Sequence, residues 1–164
     1  MSAIPDELPV GSKAQPGVIL AIDDESDDVE LLRLALAQGN FPCKVVSVPF
    51  ARDAIKYLAR IGAYADEARF PRPALIVLDL SLPGMSGMDF LTWARAEPNI
   101  PPIVILTYSL LKEDRQLAEK LGAKAYFEKS FDLKETTGML ETLRTLIALP
   151  PIPSGQKGGE TIGG

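Results

Sequence analysis

The sequence predicts an α/β fold: a doubly wound, five-stranded parallel sheet with helices on both faces. Three observations predict it. Five short apolar runs, at 18–22, 45–48, 74–78, 103–106 and 124–128, alternate with segments of helical periodicity. The runs are continuously apolar rather than alternating, as strands buried on both faces are. Their spacing is that of strand–helix units: Asp79 to Thr107 spans one unit and Asp24 to Asp79 two.

Each element has its own local justification. After the first strand, Ser26 is an N-cap candidate, with Asp27, Asp28 and Glu30 as first-turn acids favoured by the helix dipole. Val29, Leu32 and Leu36 form the inward face of that helix, and Gly39-Asn40 ends it. The second strand stops at Pro49 and carries no reactive group at its end, which suits a sheet edge. The second helix is expected over about 51–61, with Ala54, Ile55, Leu58 and Ile61 inward. A loop with Gly62, Pro71 and Pro73 leads to the third strand. The third helix is expected over about 87–96, the fourth over 111–121 and the fifth over 132–148. The fifth helix has Asp132 as its N-cap candidate and Leu133, Thr137, Leu140, Leu143 and Ile147 on one face. With right-handed crossovers, the expected strand order is flavodoxin-like, 2-1-3-4-5, with five helices.

Residues 1–17 read as a Pro/Gly-containing flexible leader, 18–149 as the folded domain and 150–164 as a Pro/Gly-rich tail. Among 164 residues, 46% are hydrophobic, enough for one full core. The net charge of −5, without a basic run, argues against a nucleic-acid surface. No apolar stretch approaches the roughly 20 residues of a membrane span, and the N-terminus lacks a signal-peptide pattern. With one cysteine, Cys43, an internal disulfide is impossible and a cytoplasmic location is expected. There is no histidine, which excludes Ser-His triads, His-ligated metals and an internal phosphohistidine. Any metal chemistry must use oxygen ligands.

Four strands end on polar residues: Asp23-Asp24, Asp79, Thr107 and Lys129. In a parallel sheet these ends share one edge, where ligands of open α/β sheets bind. Three carboxylates there repel one another, by about 4 kcal/mol per pair at 4 Å and an effective dielectric near 20. A bound Mg²⁺ would compensate them, with Lys129 supplying part of the rest. Asp79 is then the natural nucleophile toward a phosphoryl group, and Thr107 and Lys129 are its hydrogen-bond donors. Singly, each residue is an ordinary strand-end or surface group; the ordered set carries the signal.

Those residues resemble the receiver domain of two-component response regulators. The resemblance runs over about 18–148 and rests on Ile-Leu-Ala-Ile-Asp23-Asp24-Glu, Leu-Ile-Val-Leu-Asp79-Leu-Ser-Leu-Pro83-Gly-Met-Ser-Gly87, Val-Ile-Leu-Thr107 and Tyr126-Phe-Glu-Lys129. It implies phosphorylation of Asp79 by a partner histidine kinase. It further implies Mg²⁺ on Asp24, Asp79 and the Ser81 carbonyl, with Asp23 partly through water, and Lys129 bridging to the phosphoryl group. Thr107 and Tyr126 would form a switch, although Tyr126 reads equally as a plain aromatic strand residue. There are two departures. Lys129 precedes Ser130 where the family often has a cis proline, and Tyr108 stands where a small residue is usual; its ring could shield the acceptor or point outward.

The long loop before strand three, the Lys-Ser pair and the proline-bearing tail look most like single-domain receivers paired with bacterial phytochromes. That implies a light-regulated kinase as donor and a homodimer through helix four, strand five, helix five and the C-terminal extension. The resulting expectation is a phosphorylation-controlled switch or relay acting through protein contacts, not an enzyme, with too little chain after 149 for a DNA-binding module. Three alternatives stay open: an unphosphorylated binding module, an aspartate-nucleophile phosphatase and a flavin-nucleotide carrier. The phosphatase reading lacks the usual second acid, since Ser81 stands there, and the acidic loop 23–28 would repel a flavin phosphate.

Overall fold

The computed structural model describes residues 17–130 and 132–147. Most of the expected leader, the tail and any dimer contact through the tail lie outside the described residues.

The strands are β1 (Gly17–Ile22), β2 (Cys43–Val48), β3 (Leu75–Leu78), β4 (Ile103–Thr107) and β5 (Ala125–Glu128). They form one parallel sheet in the order β2-β1-β3-β4-β5. The helices are α1 (Ser26–Gln38), α2 (Ala51–Ala59), α3 (Gly87–Arg95), α4 (Lys112–Lys120) and α5 (Leu133–Ile147), with a 3₁₀ turn at Gly62–Ala65. Fold class and strand order are as the sequence predicts.

The period-2 alternation of strand side chains separates two cores. Leu20, Ile22, Ile76, Leu78, Ile103 and Ile105 face α2, α3 and α4 through Ala51, Tyr57, Phe90 and Ala118. Ile19, Ala21, Leu75, Val77, Val104 and Leu106 face α1 and α5 through Leu32, Leu36, Met139 and Leu143. Ile22 registers with Leu78, and Leu78 with Ile105, so the chain leaves β1, β3 and β4 at one edge of the sheet.

Several boundaries differ from expectation, each for a local reason. The N-cap of α1 is Glu25, not Ser26. The Asp23 carboxylate accepts from the Glu25 amide at 2.9 Å, and this tight turn starts the helix one residue early. β2 begins at Cys43 because it pairs with β1 from Gly17 onward. α2 stops at Ala59: Arg60 takes a left-handed conformation (φ 62°) and turns the chain out, leaving Ile61 exposed. Tyr57 is fully buried instead, its hydroxyl donating to the Pro71 carbonyl at 2.6 Å. On α5, Asp132 caps as expected, accepting from the Glu135 amide at 3.0 Å. The buried residues there are Met139 and Leu143, one turn apart, while Leu133 and Thr137 are exposed. No described helix is long and apolar enough to cross a membrane.

Candidate functional site

The end of β3 supplies the centre of the site. The Asp79 amide donates to the Ile22 carbonyl at 3.0 Å, so the residue is still held by the sheet as its side chain enters the cleft. Its carboxylate is buried, with both oxygens hydrogen-bonded. Oδ1 accepts from Thr107 Oγ1 at 3.0 Å and from the Ser81 amide at 3.1 Å, and Oδ2 accepts from Lys129 Nζ at 2.9 Å.

The loop after Asp79 is closed by a contact only glycine permits. A Cβ at Gly87 would lie 2.6 Å from the Asp79 carbonyl oxygen and 2.7 Å from Leu80 Cα. The Gly87 amide donates to the Leu80 carbonyl at 3.1 Å, and Ser86 and Asp89 form a capping box that starts α3. The loop therefore returns tightly under the Asp79 side chain.

Asp23 and Asp24 follow β1. Carboxylate oxygens of Asp23, Asp24 and Asp79 all lie within 4.8 Å of one another. Hard oxygen donors this close suit a divalent cation with oxygen coordination. Thr107 ends β4 and is completely buried. Lys129 follows β5, its amide donating to the Thr107 carbonyl at 2.8 Å and its side chain fully buried. Its peptide to Ser130 is trans, since the described residues contain no cis peptide.

The Lys129 ammonium contacts Asp23 at 2.7 Å, Asp28 at 2.8 Å and Asp79 at 2.9 Å. Burial alone would lower its pKa, but hydrogen bonds to three carboxylates outweigh burial and hold it well above the ordinary lysine value. Burial pushes the Asp23 carboxyl above its ordinary range, partly opposed by Lys129 and the Glu25 amide. One cation thus faces four nearby acids, an imbalance that favours binding further positive charge.

Asp28 is the residue that sequence reasoning missed. It reads as a helix-start acid, yet it is buried, with one oxygen on Lys129 and the other accepting from the Tyr108 hydroxyl at 3.0 Å. A signal was present: Asp28 stands one and two turns before Leu32 and Leu36, on the core-facing stripe of α1. Tyr108 is 60% exposed but does not simply point outward, because its ring lies 5.0 Å from Lys129 Nζ. Tyr126 is buried, its hydroxyl donating to the Ser109 carbonyl at 3.1 Å. Ser81 is exposed beside Asp79. Concavities of about 280 and 340 Å³ lie at the amino ends of β3 and β4, and none of the site acids lines either.

Comparison with known proteins agrees with this geometry. The response regulator receiver domain matches residues 19–141. Response regulator Rcp1 of Synechocystis sp. is 29% identical over 79% of this chain and 88% of its own length. The probable transcriptional regulatory protein TcrX of Mycobacterium tuberculosis is 30% identical over 86% of the chain, which spans only 55% of that relative. Among solved structures, the phosphorylated cyanobacterial phytochrome response regulator RcpA superposes with a TM-score of 0.69 at 29% identity, covering 82% of this chain and 95% of that one. The Mn²⁺-bound form of Rcp1 gives 0.68 at 28% identity, over 84% and 97%. With the family matched over most of its length, and strand order and acidic site in agreement, this chain belongs to the response regulator receiver domain family, related to Rcp1.

Proposed function

We propose that the protein is a phosphorylation switch whose acceptor is Asp79 and whose donor is the phosphohistidine of a sensor histidine kinase. The observation that carries this reading is the convergence of Thr107 Oγ1 and Lys129 Nζ on opposite oxygens of one buried carboxylate. Similarity to Rcp1, and to a structure described as a bacteriophytochrome response regulator at 30% identity and TM-score 0.68, supports a phytochrome as the kinase.

In the transfer, an Asp79 carboxylate oxygen attacks phosphorus. The new P–O bond forms as the N–P bond of the donor breaks, and the electron pair leaves on the imidazole nitrogen. Lys129 and Thr107 then move their hydrogen bonds from the carboxylate to phosphoryl oxygens. A Mg²⁺ held by Asp24, Asp79 and the Ser81 carbonyl, with Asp23 through water, would neutralise charge on those oxygens. Asp79 is consumed in each event, so the chain is a substrate of transfer and not an enzyme beyond slow self-dephosphorylation.

The output is a population shift. Moving a two-state equilibrium from 1:99 to 99:1 takes about 5.5 kcal/mol of differential stabilisation, and new bonds from Thr107, Lys129 and the cation can supply much of it. Movement of Thr107 would be read through Tyr126 into the face formed by α4, β5 and α5. Leu110, Leu111 and Leu117 are exposed on the α4 side, which favours a homodimer through that face. Incubation with Mg²⁺ and acetyl phosphate, followed by intact mass, tests the acceptor: one phosphoryl adduct is expected on the wild type and none on Asp79→Asn.

A further inference from the structure

A lysine ammonium has three N–H donors. In Lys129 the ammonium is ion-paired to Asp23, Asp28 and Asp79, with hydrogen-bond geometry to Asp28 and Asp79. When Lys129 passes its Asp79 bond to a phosphoryl oxygen it must shift toward that oxygen, and the contacts to Asp23 and Asp28 resist the shift. Asp79 is the residue that gains the phosphoryl group, and Asp23 belongs to the cluster that can take a cation. Asp28 stands outside that cluster, and its second oxygen is bonded to the Tyr108 hydroxyl. That bond orients the carboxylate so that one oxygen faces Lys129 while the other faces Tyr108. The Tyr108 ring adds a cation–π contact to the same ammonium at 5.0 Å.

We propose that Asp28 and Tyr108 form a latch that parks Lys129 in the unphosphorylated state and sets how readily the site accepts a phosphoryl group. This rests on Asp79 being the acceptor. Asp28 competes with the incoming group for the ammonium, and the Tyr108 hydroxyl acts through Asp28, by holding its carboxylate in the competing orientation. Both are positioning residues. Neither hydrogen-bonds to Asp79, and the Tyr108 side chain is too exposed for its hydroxyl to be a packing requirement.

The test measures affinity for beryllofluoride, a phosphoryl mimic, in saturating Mg²⁺ by calorimetry, with Mg²⁺ affinity alone measured in parallel. The variants are Tyr108→Phe, Asp28→Asn and the double. Tyr108→Phe keeps the ring and removes only the hydroxyl. It should tighten beryllofluoride binding about threefold, with Mg²⁺ affinity unchanged, and Asp28→Asn should tighten it about tenfold, the weight of one charge-assisted hydrogen bond. The decisive readout is non-additivity: in the Asp28→Asn background, Tyr108→Phe should change nothing further. The latch is refuted if Tyr108→Phe leaves the affinity unchanged or weaker, or acts equally in both backgrounds. A different failure identifies a wrong acceptor: wild type and Asp79→Asn would then bind beryllofluoride alike, and the latch would fall with that assignment.

Discussion

The ammonium of Lys129 stands 2.9 Å from Asp79 Oδ2, although the two residues are 50 positions apart in the chain. The parallel sheet makes this contact by ending β3 and β5 on the same edge. The same ammonium also holds Asp23 and Asp28, so three buried or half-buried carboxylates depend on one side chain.

Replacing Lys129 by Met keeps the volume and removes the charge. Removing one partner of a buried ion pair costs about 3–5 kcal/mol; the low end is expected here, because Asp23 is only partly buried and can be resolvated. Chemical denaturation in the absence of divalent cations measures it. Added Mg²⁺ should recover part of the loss, since the cation replaces the missing charge. For Lys129→Ala, phosphorylation should persist while the switch is blunted: oligomeric state measured with and without a phosphoryl donor should differ less than in wild type.

Protons and cations compete at Asp23. Its carboxyl sits above the ordinary value of 3.8 because burial disfavours the charged form. The folded state therefore binds this proton more tightly than the unfolded state. The sign follows from linkage: this group's contribution to stability is present below 3.8 and is lost as pH rises through the raised value. Asp23→Asn should therefore gain stability relative to wild type as pH rises toward neutrality, with the difference shrinking in acid. In wild type, divalent-cation affinity should fall as pH drops through the Asp23 titration. Melting temperatures and calorimetric titrations across pH check both halves.

Gly87 is a geometric requirement. A Cβ there would lie 2.6 Å from the Asp79 carbonyl oxygen, well inside contact distance, and the obstacle is backbone. Gly87→Ala must displace the loop that follows Asp79, at an overpacking cost of about 1–3 kcal/mol. The urea midpoint should fall accordingly, and phosphoryl uptake should slow more than the residual stability explains.

The sheet and most of the site were legible because both follow from the ends of apolar runs. Ile22, Leu78 and Leu106 are each followed by a polar residue, and a parallel sheet needs no further information to bring those residues together. What was not legible depended on single side chains at helix ends. Arg60 adopts a left-handed conformation that no periodicity announces, and so Ile61, inward by spacing, is exposed. Leu133 fits an apolar stripe on α5 but sits in its first turn, beyond the reach of the sheet, and is exposed. From sequence Asp28 is a helix-start acid, because partners 80 and 101 positions away, Tyr108 and Lys129, appear only in the fold.

The central claim is that Asp79 is the acceptor, and intact mass after incubation with Mg²⁺ and a small-molecule phosphoryl donor tests it most directly. Wild type should gain a single hydroxylamine-labile phosphoryl group, and Asp79→Asn, equally folded by circular dichroism, should gain none. An adduct of equal yield on Asp79→Asn, or no adduct on wild type under conditions that phosphorylate another receiver domain, would contradict the account.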